Sequence, residues 1–258
     1  MSRFIETKTA RLHLLESGAG ETAFIFLHYW GGSARTWHRV IHALGDHVHT
    51  IALDQRGWGQ SAAFDGRHDL AAMADDVAEV IASLGLQRYV LVGHSMGGKV
   101  AQLFALRRAP GLSGLVLVAP APPTPMQVPA EMRAAMLVSY QTRRGVLEAL
   151  KVLSYQPLDH QEREAVIADT LGGTADAKRF WTEQGMIADL GTDLLPITVP
   201  TIVLVGDQDR VERAETLRGI YARAIPHAEV RVIKGVGHLS PLEAPEQIAQ
   251  ACADVVRL

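Results

Sequence analysis

The sequence predicts an α/β fold: a mostly parallel central sheet with helices on both faces and an inserted helical segment. Short, near-continuous runs of Val, Ile and Leu recur along the chain, as in strands covered on both faces. Amphipathic stretches with readable caps alternate with them, the order that builds a parallel sheet. From Ala121 to about Pro196 this alternation stops and no comparable apolar strand occurs. An interruption of that length is too long for a loop and reads as a small helical insertion. The expected division is a core of residues 1–120 and 197–258 and an insertion at 121–196.

The strands expected in order are FIFLH (Phe24–His28), TIALD (Thr50–Asp54), YVLVGH (Tyr89–His94), LVLVAP (Leu115–Pro120), TIVLVGD (Thr201–Asp207) and VRVIKG (Val230–Gly235). Residues 11–16 are expected to form an antiparallel edge ahead of them. The first helix starts at Ser33, places Trp37, Val40, Ile41 and Leu44 on one face, and stops at Gly45. The second starts at Asp69, carries Met73, Val77, Val80, Ile81 and Leu84, and stops at Gly85. Both use a small polar N-cap and a glycine stop. A third runs from Met96 to Arg108 and ends before Pro110. Two more follow the insertion, at 212–225 with Leu217, Tyr221 and Ala224 inward, and at 245–256 with Ile248, Cys252 and Val256 inward. The insertion opens on APAPPTP and holds Met126, Met132, Met136, Tyr140, Trp181 and Met186. Most such side chains are expected to be core or solvent faces, and some to line a pocket.

At 258 residues, with 48% hydrophobic and 21% charged, the chain can bury the core of one large α/β domain. A net charge of −3 gives no electrostatic case for nucleic acid or an anionic membrane as partner. The single cysteine, Cys252, excludes an internal disulfide, fits a reducing compartment, and is expected to be a packed core thiol. The opening MSRFIETKTA has no apolar signal region, and no apolar run approaches the ~18 residues of a membrane span. A cytoplasmic location is the expectation.

The chemistry centres on Gly93-His94-Ser95-Met96-Gly97, which fits the G-x-S-x-G nucleophile elbow. A sharp strand-to-helix turn strains the serine backbone, and bulk in place of the glycines would collide with strand and helix. A serine hydroxyl needs a base, and the base needs an orienting acid. His238, flanked by Gly235 and Gly237 beyond the last strand, lies on a loop at the same sheet edge as Ser95. Asp207 and Asp209 both follow TIVLVG at that edge, and either can be the acid. Gly57-Trp58-Gly59-Gln60-Ser61-Ala62 matches a dinucleotide fingerprint, but no helix follows it directly. His42, His47 and His49 lack the companion ligands of a metal site.

LHYWGG (27–32), DQRGWGQS (54–61), GHSMGG (93–98), VGDQD (205–209) and GHLSPLEAPEQI (237–248) together resemble the α/β-hydrolase fold family across essentially the whole chain. The resemblance implies the α/β-hydrolase fold, with the insertion as a helical cap over the active site. It implies a triad of Ser95, Asp209 and His238, because Asp209 is the last residue of the family's G-x-x-D pattern and Asp207 becomes a turn former. It places the oxyanion hole at the backbone amides of Trp30 and Met96, and makes His28, Asp54 and Arg56 structural. Tyr29 stands where the family commonly has glycine. Tyr29, Trp30 and Leu239 are expected to touch substrate.

Family members that are haloalkane dehalogenases or epoxide hydrolases use aspartate in place of Ser95, so acyl chemistry is expected here. Those that cleave carbon–carbon bonds usually carry tryptophan where this chain has Leu239. Trp30 together with SMGG resembles bacterial aryl esterases, some of which also make peracids. The expected activity is a serine hydrolase cleaving a small to medium, largely apolar carboxylic ester, with no metal or organic cofactor. C–C hydrolysis, lactone hydrolysis, or a triad-bearing small-ligand receptor with little turnover are the alternatives.

Overall fold

In the computed structural model, which describes residues 1–191 and 196–257, one sheet runs through the molecule. Its strands are β1 (Ser2–Glu6), β2 (Ala10–Ser17), β3 (Ala23–Leu27), β4 (His49–Leu53), the two-residue β5 (Ala62–Ala63), β6 (Tyr89–His94), β7 (Leu112–Val118), β8 (Thr201–Gly206) and β9 (Glu229–Ile233). Their order is β1-β2-β4-β3-β6-β7-β8-β9, with β5 paired to β2. From β4 to β9 neighbouring strands are parallel, while β1 and β2 add an antiparallel edge.

Helices α1 (His38–Leu44), α2 (Leu70–Leu84) and α3 (Met96–Leu106) follow β3, β5 and β6. Between β7 and β8 lie α4 (Ala130–Ser139), α5 (Arg143–Leu153), α6 (His160–Gly172) and α7 (Ala175–Phe180). The end of the expected insertion, residues 192–195, lies outside the described residues. Then come α8 (Ala214–Ala224), α9 (Ser240–Glu243) and α10 (Pro245–Val255).

Alternation along the strands sorts the helices onto two faces. Ile25, Leu91, Leu115 and Val203 pack against α2, α3 and α8 through residues such as Val77, Phe104 and Tyr221. Phe26, Val92, Val116 and Leu204 point the other way, against Trp37 and Val40 beside Ile248 and Cys252. The fold is therefore α/β, a mostly parallel sheet covered on both sides. Among the described residues, no helix is long and apolar enough to cross a membrane.

Local signals set several helix ends. Asp69 accepts from the Ala72 amide at 2.9 Å, and Gly85 adopts the left-handed conformation that stops α2. Ser33 caps a 3-10 turn, Ala34–Trp37, which leads into α1. Strand β1 was not expected. It buries only Ile5, so no apolar run marks it, and its pairing with β2 creates it.

Candidate active site

Ser95 sits between β6 and α3 with φ 50° and ψ −113°, a region that residues with a Cβ rarely occupy. The backbone around it over-determines that conformation. The Ser95 amide donates to the Val118 carbonyl, and the Ser95 carbonyl accepts from Lys99 and Ala121. Glycines let the chain turn this tightly: a Cβ on Gly93 would lie 2.5 Å from the Gly97 oxygen, and one on Gly97 would collide with the Leu27 carbonyl. The start of α3 thus lies directly over the ends of β3 and β6. The N-terminal amides of this helix, Met96 first, face the space beside Ser95.

His238 lies in the loop after β9, and its Nδ1 donates to Asp209 Oδ2 at 2.9 Å. The Asp209 side chain is fully buried. Its other oxygen accepts from the amides of Val211 at 2.7 Å and Glu212 at 2.9 Å. With Nδ1 holding the proton, Nε2 of His238 is an acceptor. Asp207 is turned away and ties the end of β8 to the segment after β9 by accepting from the Gly235 amide at 2.7 Å. Of the two aspartates left open by strand position, only Asp209 meets the histidine.

One partner was not foreseen. His94, immediately before Ser95, donates from Nε2 to the His238 carbonyl at 2.8 Å. Its ring packs between Tyr29 and His238, with centroids 5.1 Å away in each case. Burial, followed by the nearby His238, holds its pKa well below the ordinary histidine value, so it is neutral. A separation of 144 positions between the partners leaves no local signal for this contact.

The loop after β3 is shaped from within by His28. Its Nε2 accepts from the Gln55 amide at 3.1 Å, which leaves the proton on Nδ1. Nδ1 donates to the Tyr29 carbonyl at 2.7 Å. That carbonyl shares a peptide plane with the Trp30 N–H, so His28 orients the Trp30 amide. The D-x-R-G-x-G-x-S segment is architecture: Asp54 binds His13 at 2.8 Å and the Gln60 amide at 2.9 Å, and Arg56 grips Asp76 at 2.6 and 2.7 Å.

Tyr29 is buried beside Val146, Leu150 and Leu239; its hydroxyl lies near the Thr170 side chain and makes no hydrogen bond of good geometry among the described residues. Leu239 is fully buried, and its amide donates to the Leu153 carbonyl at 3.0 Å. Trp30 instead borders a cavity of about 430 Å³ whose wall includes Met126, Met136, Tyr140, Met186 and Val211. Its indole stacks on Tyr140 with centroids 3.9 Å apart and planes at 11°. Among the described residues, Glu148 and Arg210 are the charged residues of the wall.

A second unforeseen group is Lys99, one turn into α3 and fully buried. Its Nζ donates to the carbonyls of Thr124 at 3.3 Å and Met186 at 3.5 Å, on the two chains that enter and leave the insertion. Burial pulls its pKa down to about 8, against the opposing pull of Glu212 and Asp189. Burial, and then Asp209, push the Glu212 carboxyl well above the usual range. Among the described residues no group of three or more His, Cys, Asp or Glu is arranged to hold a metal.

The sequence profile of the alpha/beta hydrolase family matches residues 24–251. A 2-hydroxy-6-oxononadienedioate/2-hydroxy-6-oxononatrienedioate hydrolase of Burkholderia vietnamiensis is 28% identical, over 96% of this chain and 91% of its own. A non-heme chloroperoxidase of Kitasatospora aureofaciens is also 28% identical, over 83% of this chain and 84% of its own. Among solved structures, a thermophilic esterase from Thermogutta terrifontis aligns with a TM-score of 0.83 and 30% identity, covering 100% of this chain and 98% of its own.

Proposed function

Because this chain belongs to the alpha/beta hydrolase family, we propose that it cleaves carboxylic esters through an acyl-enzyme formed on Ser95. The observation that carries this reading is the 2.9 Å contact between His238 and the buried Asp209, at the sheet edge where Ser95 is held at φ 50°. In this mechanism Ser95 Oγ attacks the ester carbonyl while His238 Nε2 takes its proton. Asp209 keeps the imidazole in the productive tautomer and stabilises the imidazolium. The amides of Trp30 and Met96 stabilise the tetrahedral oxyanion. His238 then protonates the departing alcohol, and water, activated by the same imidazole, clears the acyl group.

The 430 Å³ cavity reaches the site through Trp30, with neither Ser95 nor His238 among its described lining residues, and its methionine and aromatic wall supports a neutral, largely apolar acyl or alcohol group. A dienedioate, as in the name of the Burkholderia relative, carries two carboxylates. Among the described residues the cavity wall holds one cation, Arg210, against one anion, Glu148, which favours the ester over the dianion.

Hydrolysis of p-nitrophenyl esters of increasing acyl length tests the proposal, comparing the native protein with Ser95→Ala, Asp209→Asn and Asp207→Asn. Multiple turnover should collapse in Ser95→Ala and fall ~10³–10⁴-fold in Asp209→Asn, while Asp207→Asn stays near native. A folded native protein that turns over none of these esters would sink the esterase reading and move it to C–C or lactone cleavage or to ligand reception.

A further inference from the structure

We propose that Thr170, on α6 of the insertion, is a positioning residue for the oxyanion loop, so that the insertion completes the hydrolytic machinery as well as roofing it. The inference rests on the assignment of the Trp30 amide to the oxyanion hole. It arises from a set of contacts that reach the loop from outside the sheet. Thr170 is 1% exposed, and its hydroxyl donates to the Gly31 carbonyl at 3.0 Å. Its neighbour Asp169 accepts from the Ser33 hydroxyl at 2.8 Å and from Arg35 Nε at 2.8 and 2.9 Å. Tyr140, between α4 and α5, stacks on the Trp30 indole. Trp30, Gly31, Ser33 and Arg35 are thus each held by the insertion.

The geometry at Gly31 explains the dependence. Gly31 has φ +99°, and a Cβ there would lie 2.7 Å from the Tyr140 ring and 3.1 Å from Thr170 Oγ1. The insertion therefore presses on bare backbone. His28 fixes the peptide plane before Trp30, and Thr170 fixes the plane after Gly31. Two planes held from opposite sides leave the intervening residues little freedom, which is what an oxyanion donor requires. Without the hydroxyl, the buried Gly31 carbonyl has lost its donor and gains by tilting toward another.

Two near-isosteric changes separate this role from packing. Thr170→Val keeps shape and removes the hydroxyl; Thr170→Ser keeps the hydroxyl and removes a methyl. Thr170→Val should lower kcat about tenfold on every p-nitrophenyl ester with KM nearly unchanged. Affinity for an apolar trifluoromethyl ketone, whose serine adduct places an oxyanion in the hole, should weaken in proportion. Amide hydrogen exchange across residues 28–36 should quicken. Thr170→Ser should restore all three. The proposal is overturned if Thr170→Val keeps native kcat, ketone affinity and exchange, or if Thr170→Ser is as impaired as Thr170→Val, which would mark a packing role. Absence of ester turnover by the native protein would remove the esterase reading alone, because exchange in Thr170→Val still decides whether the hydroxyl holds the loop.

Discussion

His94 donates from its ring to the main-chain carbonyl of His238 at 2.8 Å, so the residue preceding Ser95 grips the backbone of the imidazole that would serve it. The contact crosses from the end of β6 to the loop after β9. It ties that loop to the sheet edge independently of the Asp209 side chain.

His94→Phe preserves an aromatic ring in that slot and leaves the His238 carbonyl without its donor. Stability should fall by about 1–3 kcal/mol, and kcat about tenfold or more as the imidazole drifts. Native His94 also makes the fold acid-sensitive. Its folded pKa lies well below 6.5, so the unfolded chain takes up a proton that the folded chain refuses. Stability is therefore lost as pH falls below about 6.5. Urea denaturation at pH 7 and pH 5 should show a smaller loss in His94→Phe, and an equal loss would refute the assignment.

His28→Leu removes the shorter of the two bonds to the Tyr29 carbonyl, whose peptide carries the Trp30 amide, and leaves the one from the Gly32 amide at 3.0 Å. It should cost about tenfold or more in kcat with little change in KM, and it leaves the Gln55 amide without its acceptor. Steady-state kinetics on a short acyl ester, with thermal melting as a control for folding, checks this. A rise in KM at constant kcat would mean that His28 supports substrate binding instead.

Lys99 predicts a stability trend in alkali. Its folded value of about 8 lies below the ordinary 10.5, so between these values the unfolded chain holds a proton that the folded chain has released. Stability attributable to Lys99 therefore rises as pH climbs through that interval. The stability of Lys99→Met, close in volume, relative to the native protein should be greatest at pH 7.5 and fall by up to about 3 kcal/mol by pH 10. Denaturation curves of the two proteins that keep a constant separation between those pH values would contradict it. Glu212 and Asp189, which face Lys99, are unchanged in the comparison.

Much of the architecture was legible because its signals are local. The N-cap at Asp69 and the stop at Gly85 act within one turn of α2, and the structure places both there. The β6–Ser95–α3 turn is legible for the same reason: neighbours in sequence create the strain that glycines relieve. Strand β1 escaped notice because its burial comes almost wholly from a partner strand.

Residue order by itself determined the α/β class, the two-faced burial of the strands and the serine turn. It narrowed the candidate acid to two aspartates, and family resemblance chose between them. Only the tertiary structure decided that Asp209 faces His238, that His94 holds the His238 backbone, and that Thr170 reaches the Gly31 carbonyl. Partners in these contacts lie 29, 144 and 139 residues apart, respectively. A hydrogen bond at such separation depends on where packing delivers each end. Helical or strand periodicity, which records only the nearest few residues, carries no trace of it.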